Sequence, residues 1–285
     1  MDGPARLAQL GRLRKDVDAA LGQITPAGAP QNRVAAAMRH ALLSPGKRIR
    51  PLLTLLAAGQ LGCPASNAMP AACALEMVHA ASLVLDDLPC MDDADERRGE
   101  PSVHRLFGQD VAVLAGVGLL NEAYAVIAKA EALPKAARVE MIAVLSRSVG
   151  VNGLIGGQDR DLLACDSRSF DELSKLHHEK TGVLFVAAVE IGALAAGATA
   201  EARETLRLFG CELGLAFQAI DDLIDRNELE GQRPASNLLS ALGADGARLE
   251  AERRMERARQ TLRQGPPQLA TMDGYLELLV SPVAA

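Results

Sequence analysis

Apolar residues recur along this 285-residue chain at three- and four-residue spacing, the period of one face of an α-helix. Clusters rich in Gly, Pro and Asn break the rhythm: TPAGAPQN at 25–32, SPGK at 44–47, GCPASNAMP at 62–70, LPKA at 133–136 and the stretch around Gly265 to Pro267. Between these breaks the spacing predicts helices over 5–22, 31–43, 48–61, 68–88, 109–130, 135–164, 169–198, 201–229 and 244–264, with a last one near 268–280. The segments 68–85 and 183–198 are apolar on nearly all sides, which places them at the centre of the molecule. No linker, repeat or shift of composition divides the chain, so the expectation is one all-α domain over 1–285: a single large bundle of about ten or more helices.

Composition reinforces that expectation. Hydrophobic residues make up 49% of the chain but aromatics only 2%, so the core must be built from Ala, Leu, Val and Ile, an excess that favours helices over sheet. The net charge of −6, with no basic tail, excludes a nucleic-acid footprint. Cys63, Cys73, Cys90, Cys165 and Cys211 are odd in number and form no C-x-x-C pair, as expected of free thiols in a reducing, cytoplasmic setting. The opening MDGPARLAQL has no apolar core of a signal peptide. The run Val183 to Ala200 carries Glu190 in its middle and reads as a buried helix, not a transmembrane segment.

Two acidic clusters interrupt the apolar pattern. In LVLDDLPCMDDADERRGEP, 83–101, Asp86 and Asp87 close an apolar helix and Asp92, Asp93 and Asp95 follow Pro89. Pro89 cannot donate a backbone hydrogen bond, so the helix should bulge or stop there and swing Asp92 back toward the Asp86 face. In FQAIDDLIDR, 217–226, Asp221 and Asp225 are one turn apart on one helical face, with Asp222 beside them. Like charges at that spacing repel unless a cation sits between them. Two such patches facing each other would hold several Mg²⁺ ions and a diphosphate, because this ion takes carboxylates and completes its shell with water and phosphate oxygens. Zn²⁺ is disfavoured, since neither patch holds a His or Cys pair at ligand spacing. Each cluster alone reads equally well as helix-end acids or a solvated loop; the pair on apolar helices does not.

A cationic set of different character accompanies them. SPGKRIRPLL places Lys47, Arg48 and Arg50 after a glycine turn and near a helix start, where backbone N–H groups also favour an anion. His79, Arg97, Arg98, Lys180 in HHEKTG, Thr181 and Gln218 are further candidates. Singly, each basic residue is better read as a solvated face or an exposed ion pair. Together, one metal-mediated set and one guanidinium-mediated set point to two diphosphate substrates.

The ordered set GKRIRP, DDLPCMDDADERRG, KTG and FQAIDDLID, spread over about 40–245, resembles the trans-isoprenyl diphosphate synthase family, and ASLVLDDLP, RRGEPSVH and AVLAG resemble its bacterial geranylgeranyl-forming branch. The resemblance implies a helical bundle around a central cavity and a head-to-tail prenyltransferase condensing isopentenyl diphosphate with an allylic diphosphate. Asp86, Asp87, Asp92, Asp221 and Asp225 would bind three Mg²⁺, for which Mn²⁺ can substitute, with Asp222 assisting. Arg97, Lys180 and Gln218 would act at the allylic diphosphate, with Thr181 supporting the allylic cation or the helix geometry. Lys47, Arg50, His79 and Arg98 would hold isopentenyl diphosphate, and the departing diphosphate would itself take the final proton.

Product length falls on the helix before the first cluster. Ala81 and Ser82 lie roughly 6–8 Å down the helix from Asp86, at about 1.5 Å per residue. Neither is bulky, whereas an aromatic there closes the tunnel in farnesyl-making relatives, and Met77, one turn further, is a plausible floor. A C20 product is therefore expected, with farnesyl diphosphate as the alternative. The chain departs from its relatives in the lysine-free tract RNELEGQRPASNLLSALG after Asp225, where Arg233 is the nearest cation, and in Val117 and Leu85, where Asp and His are common. That tract keeps a non-catalytic, modulatory subunit in view. A class I terpene cyclase fits less well, because two Tyr, five Phe and no Trp are few to steer carbocations. The long apolar helix 109–130 leads to the expectation of a homodimer.

Overall fold

The computed structural model describes residues 3–25, 32–163, 168–225 and 238–280. Helices α1 (Gly3–Ile24), α2 (Arg33–Leu43), α3 (Ile49–Gln60) and α4 (Ala65–Asp86) lead into a hairpin, β1 (Glu96–Arg97) and β2 (Glu100–Pro101). Then come α5 (Val103–Phe107), α6 (Gln109–Ala128), α7 (Lys135–Val149), α8 (Leu154–Leu162), α9 (Phe170–His177), α10 (Val183–Ala195), α11 (Ala200–Asp225), α12 (Leu238–Gln264) and α13 (Leu276–Val280). The architecture is all-α, as the period predicts.

Helix α4 is the axis of the bundle. Every residue from Ala71 to Val78 is buried, and the helix is wrapped by α1, α2, α3, α6, α7 and α10. By length and composition alone α4, α6 and the stretch Lys135–Leu162 could each cross a membrane; in the bundle α4 instead spends its apolar surface on neighbouring helices. Helix α10, the most apolar run, is likewise internal, with Leu184, Phe185, Val189 and Ile191 buried. One hydrophobic cluster runs from Leu10 to Val280.

Four expected helices are drawn differently, and one of them, near 268–280, is a 3₁₀ helix over Pro267–Tyr275 that leads into the short α13. The span 135–164 is two helices, α7 and α8, because the chain turns at Gly150 to Gly153; Gly153 adopts φ −134°, ψ −130°, and a Cβ there would run into the Ser148 carbonyl. The span 169–198 contains a π-helical turn, His178–Gly182, between α9 and α10, which apolar spacing alone does not distinguish from continuous helix. Helix α12 begins at Leu238 and kinks at Gly243 (φ 67°), while 226–229 lie outside the described residues. The hairpin was not expected. Its two turn residues, Arg98 (φ 58°) and Gly99 (φ 76°), both have the positive φ that the tightest right-twisted hairpins require.

Small residues let the central helices touch. A Cβ on Gly192 of α10 would collide with the Thr54 carbonyl and stand 2.9 Å from the Ala57 Cβ of α3. Gly192→Val is expected to destabilise the fold by ~1–3 kcal/mol, read as a lowered midpoint in chemical denaturation, because backbone, not a pliable side chain, occupies the space.

Candidate active site

Helix α4 ends one turn short of Pro89, and the chain folds back over its own end. Asp87 N donates to the Leu83 carbonyl at 3.0 Å, Met91 N to Leu88 O at 2.8 Å, and Asp92 N to Asp86 O at 2.9 Å. That last bond carries Asp92 back toward Asp86, as the proline predicts. Burial pushes the Asp86 carboxyl up to about 6; the charge of Lys180 opposes the rise and that of Asp92 adds to it. Asp87 points the other way. It is buried, and Arg97 donates to its Oδ1 from Nε at 2.9 Å and also from Nη2. Two residues assigned separately to metal and to allylic diphosphate are thus each other's partners, because the hairpin turns Arg97 inward.

The second acidic helix is anchored through a chain of polar groups. Thr181 Oγ1, on the π-turn, donates to Gln218 Oε1 at 2.8 Å, and Gln218 Nε2 donates to Asp222 Oδ1 at 2.9 Å. Asp222 Oδ2 accepts from Leu238 N at the start of α12 at 2.8 Å. Asp222 is buried with both oxygens occupied, so it holds α11 in place while Asp221, the next residue back, faces the cavity. Lys180 pairs with Asp161 of α8 at 2.5 Å. Asp225 ends α11, but its side chain lies outside the described residues, as does the tract 226–237 with Arg233.

The cationic wall comes from the turn before α3, from α4 and from the hairpin. Arg50 lies over the Phe185 ring at 5.1 Å, and its Nε has no hydrogen-bond partner. Burial pushes its guanidinium down to about 10; Glu76 opposes that, Arg98 adds to it, and Asp221 opposes it. His79 stands with Nε2 3.2 Å from Arg98 Nη2, a contact an arginine can only donate. Burial, then the charges of Arg50 and Arg98, hold the His79 pKa well below its ordinary value. Arg48 of the same run is buried between Asp18 and Glu76, each at 2.8 Å.

A cavity of about 620 Å³ is lined by Lys47, Arg50, His79, Arg97 and Arg98, by the Arg48–Glu76 pair, and by Thr181, Gln218 and Asp221. Asp86, Asp92, Lys180 and Asp222 connect to it through the neighbours just named. The chain-length candidates do not line it. Met77 and Ala81 are closed in the core, and Ser82 Oγ donates to the His79 carbonyl at 2.8 Å. Sequence reasoning missed Glu76, Asp18, Asp161 and the stacking ring of Phe185. A lone acid in CALEMVHA, three before His79, was the available signal for Glu76.

Among the described residues no three His, Cys, Asp or Glu side chains stand together as a metal site. The donors do fit a hard divalent cation in kind: they are carboxylates, with the backbone of Asp92 folded onto that of Asp86 and the Asp86 pKa raised by burial and by the charge of Asp92, both of which a cation would offset. Such an ion needs few protein ligands when phosphate oxygens supply the rest.

Comparison with known proteins agrees with this chemistry. Residues 31–232 match the family model described as polyprenyl synthetase. A geranylgeranyl diphosphate synthase of Pantoea ananas is 46% identical over 217 residues, covering 75% of this chain and 72% of that one. Another, of Pseudescherichia vulneris, is 42% identical over 277 residues, covering 93% and 89%. An apo crystal structure of an FPP/GFPP synthase from Zymomonas mobilis superposes with a TM-score of 0.89 at 30% identity, over 98% of this chain and 100% of that one. A geranyltransferase from Legionella pneumophila gives 0.87 at 30% identity, over 98% of each.

With its pKa depressed, His79 stays neutral in the folded chain, while the unfolded chain takes a proton as pH falls through about 6.5. The unfolded state then binds more protons, so His79 lowers stability at acid pH. Melting temperatures between pH 5 and pH 8 should show a shallower acid decline in His79→Gln than in the wild type.

Proposed function

The chain belongs to the polyprenyl synthetase family and is a trans-prenyltransferase, and we propose that it condenses isopentenyl diphosphate with an allylic diphosphate to give the C20 product geranylgeranyl diphosphate. The observation that carries this reading is a cavity in which Lys47, Arg50 and Arg98 meet Asp221, Gln218 and Thr181. One diphosphate is matched by guanidinium and ammonium groups, and the other by carboxylates through a metal.

In this reading Lys47, Arg50 and Arg98 bind the isopentenyl diphosphate, with Arg98 oriented by neutral His79. Arg50 has an unpartnered Nε facing burial, and a phosphate oxygen would satisfy it. The allylic diphosphate lies toward Asp86, Asp92 and Asp221, with Lys180 and the Thr181–Gln218 pair beside it. These carboxylates, with Asp225 and, once Arg97 turns to the substrate, Asp87, would hold Mg²⁺ or Mn²⁺, which neutralises charge building on the departing diphosphate. The C–O bond of the allylic ester breaks, the isopentenyl double bond forms the new C–C bond at the allylic carbon, and a proton leaves to diphosphate. Leu83 and Phe217, which also line the cavity, would help keep water from the cation.

Product length is proposed to depend on Ala81 and Ser82, with Met77 below. The small side chain at Ala81, wholly buried between helices, supports this: a growing tail can part packed alanines more readily than it can displace an aromatic ring. A homodimer is also proposed, supported by exposed Val113, Leu114 and Val117 along α6, with light scattering as its check. Free thiols at Cys63, Cys73, Cys90 and Cys211 support a cytoplasmic setting.

The test is product mass after reaction of isopentenyl diphosphate with dimethylallyl, geranyl and farnesyl primers. C20 diphosphate is the expected end product, whereas cyclic hydrocarbon released from an allylic diphosphate alone would overturn the assignment. Asp221→Asn is expected to lower kcat by roughly 10²-fold or more, and chelation with EDTA to abolish turnover until Mg²⁺ is restored. Ala81→Tyr should shorten the product to C15 or less in the same mass assay.

A further inference from the structure

Arg48 stands between two residues of the proposed isopentenyl diphosphate site, yet its own nitrogens are committed elsewhere. Nε donates to Asp18 Oδ1, Nη1 to Glu76 Oε1 and Nη2 to the Ser44 carbonyl, each at 2.8 Å. The Arg48 and Glu76 side chains are each only 3% exposed. If Arg48 left to bind a phosphate, Glu76 would remain a bare buried charge, which is strongly unfavourable.

The backbone of Arg48 is as unusual as its side chain. It is the residue before α3 and adopts φ 51°, ψ 34°, with no capping bond from its side chain. The left-handed conformation is unfavourable for a non-glycine residue and persists where the surroundings over-determine it. Here they do, because the three hydrogen bonds tie the turn to α1, to α4 and to the end of α2 at once. Lys47 and Arg50, on either side of this reversal, both reach the same cavity; Arg48 and Glu76 also border it, but with their polar atoms already bonded to one another, to Asp18 and to the Ser44 carbonyl. Glu76 also lies on the α4 face of His79, three residues on, and its charge offsets those of Arg50 and Arg98.

We propose that Arg48 and Glu76 form a positioning pair: by holding the left-handed turn they aim Lys47 and Arg50 into the cavity, and so set the affinity for isopentenyl diphosphate without touching it. The inference rests on the assignment of that pocket given above.

Steady-state kinetics of the full chain separate the two claims, with Lys47→Ala as the reporter of the pocket itself. Glu76→Gln, and the double variant Arg48→Met with Glu76→Met, should raise KM for isopentenyl diphosphate roughly 10-fold or more. The double variant buries no unpaired charge, so it guards against simple misfolding. Arg48→Lys, which keeps the charge but not the three-way fork, should fall between these and the wild type. KM for the allylic substrate and kcat should stay within about two-fold, with circular dichroism unchanged. If Lys47→Ala raises KM for isopentenyl diphosphate and the folded Arg48 and Glu76 variants do not, the positioning role is overturned and the function stands. A parallel rise in both KM values, or a loss of kcat, also overturns it in favour of a merely structural pair. If Lys47→Ala leaves KM unchanged, the pocket assignment falls and the inference falls with it.

Discussion

Charge taken out of water has to be answered by charge, and that constraint organises this molecule. An Ala- and Leu-rich bundle offers little polar surface, yet it brings Lys47, Arg50, Arg97 and Arg98 to one cavity with Asp221 and near Asp86. Several charges at and around the cavity are held in pairs: Arg97 with Asp87, Lys180 with Asp161, Arg48 with Glu76. Arg50, by contrast, is desolvated and has an unpartnered Nε. A site with cations in reserve and a carboxyl whose pKa is raised by burial is arranged to gain when diphosphate and a divalent cation enter together, since each relieves what the other lacks.

The irregular backbone sits where that arrangement is assembled. The left-handed Arg48 and Arg98, the fold-back of Asp92 onto Asp86 and the π-turn carrying Lys180 and Thr181 all border the cavity or its neighbours. Regular helix projects side chains at fixed angles; each departure re-aims one. The π-turn is the most consequential, because it brings Thr181 onto Gln218, and through Gln218 and Asp222 onto the first residue of α12. A polar relay then joins α9–α10, α11 and α12 where a contact between apolar faces alone would leave the rotation of α11 less strictly defined.

The bundle itself was legible in the chain, because helical period and apolar all-round segments report burial directly; α4 and α10 are central, as 68–85 and 183–198 announce. The fold-back at Pro89 was also legible, since proline imposes it. The break at Gly150 to Gly153 was not read, because isolated glycines inside an apolar pattern are compatible with helix until a neighbouring carbonyl fills the space of a Cβ.

Sequence by itself determined the residue types, their order and the helical faces they share: carboxylates one turn apart on α11, a carboxylate pair at the end of α4, and cations after a glycine turn. Only the tertiary structure decided partnership. Asp87 and Asp222 are carboxylates like Asp86 and Asp221, yet one is bound to Arg97 and the other to Gln218 and the α12 backbone. Arg48 and Arg50 differ in the same way, the first committed to Asp18 and Glu76, the second stacked on Phe185 with donor capacity to spare. The reason is range: propensity and periodicity act over a few residues, whereas whether a charge is spent or available depends on what a helix from a distant part of the chain places within 3 Å of it.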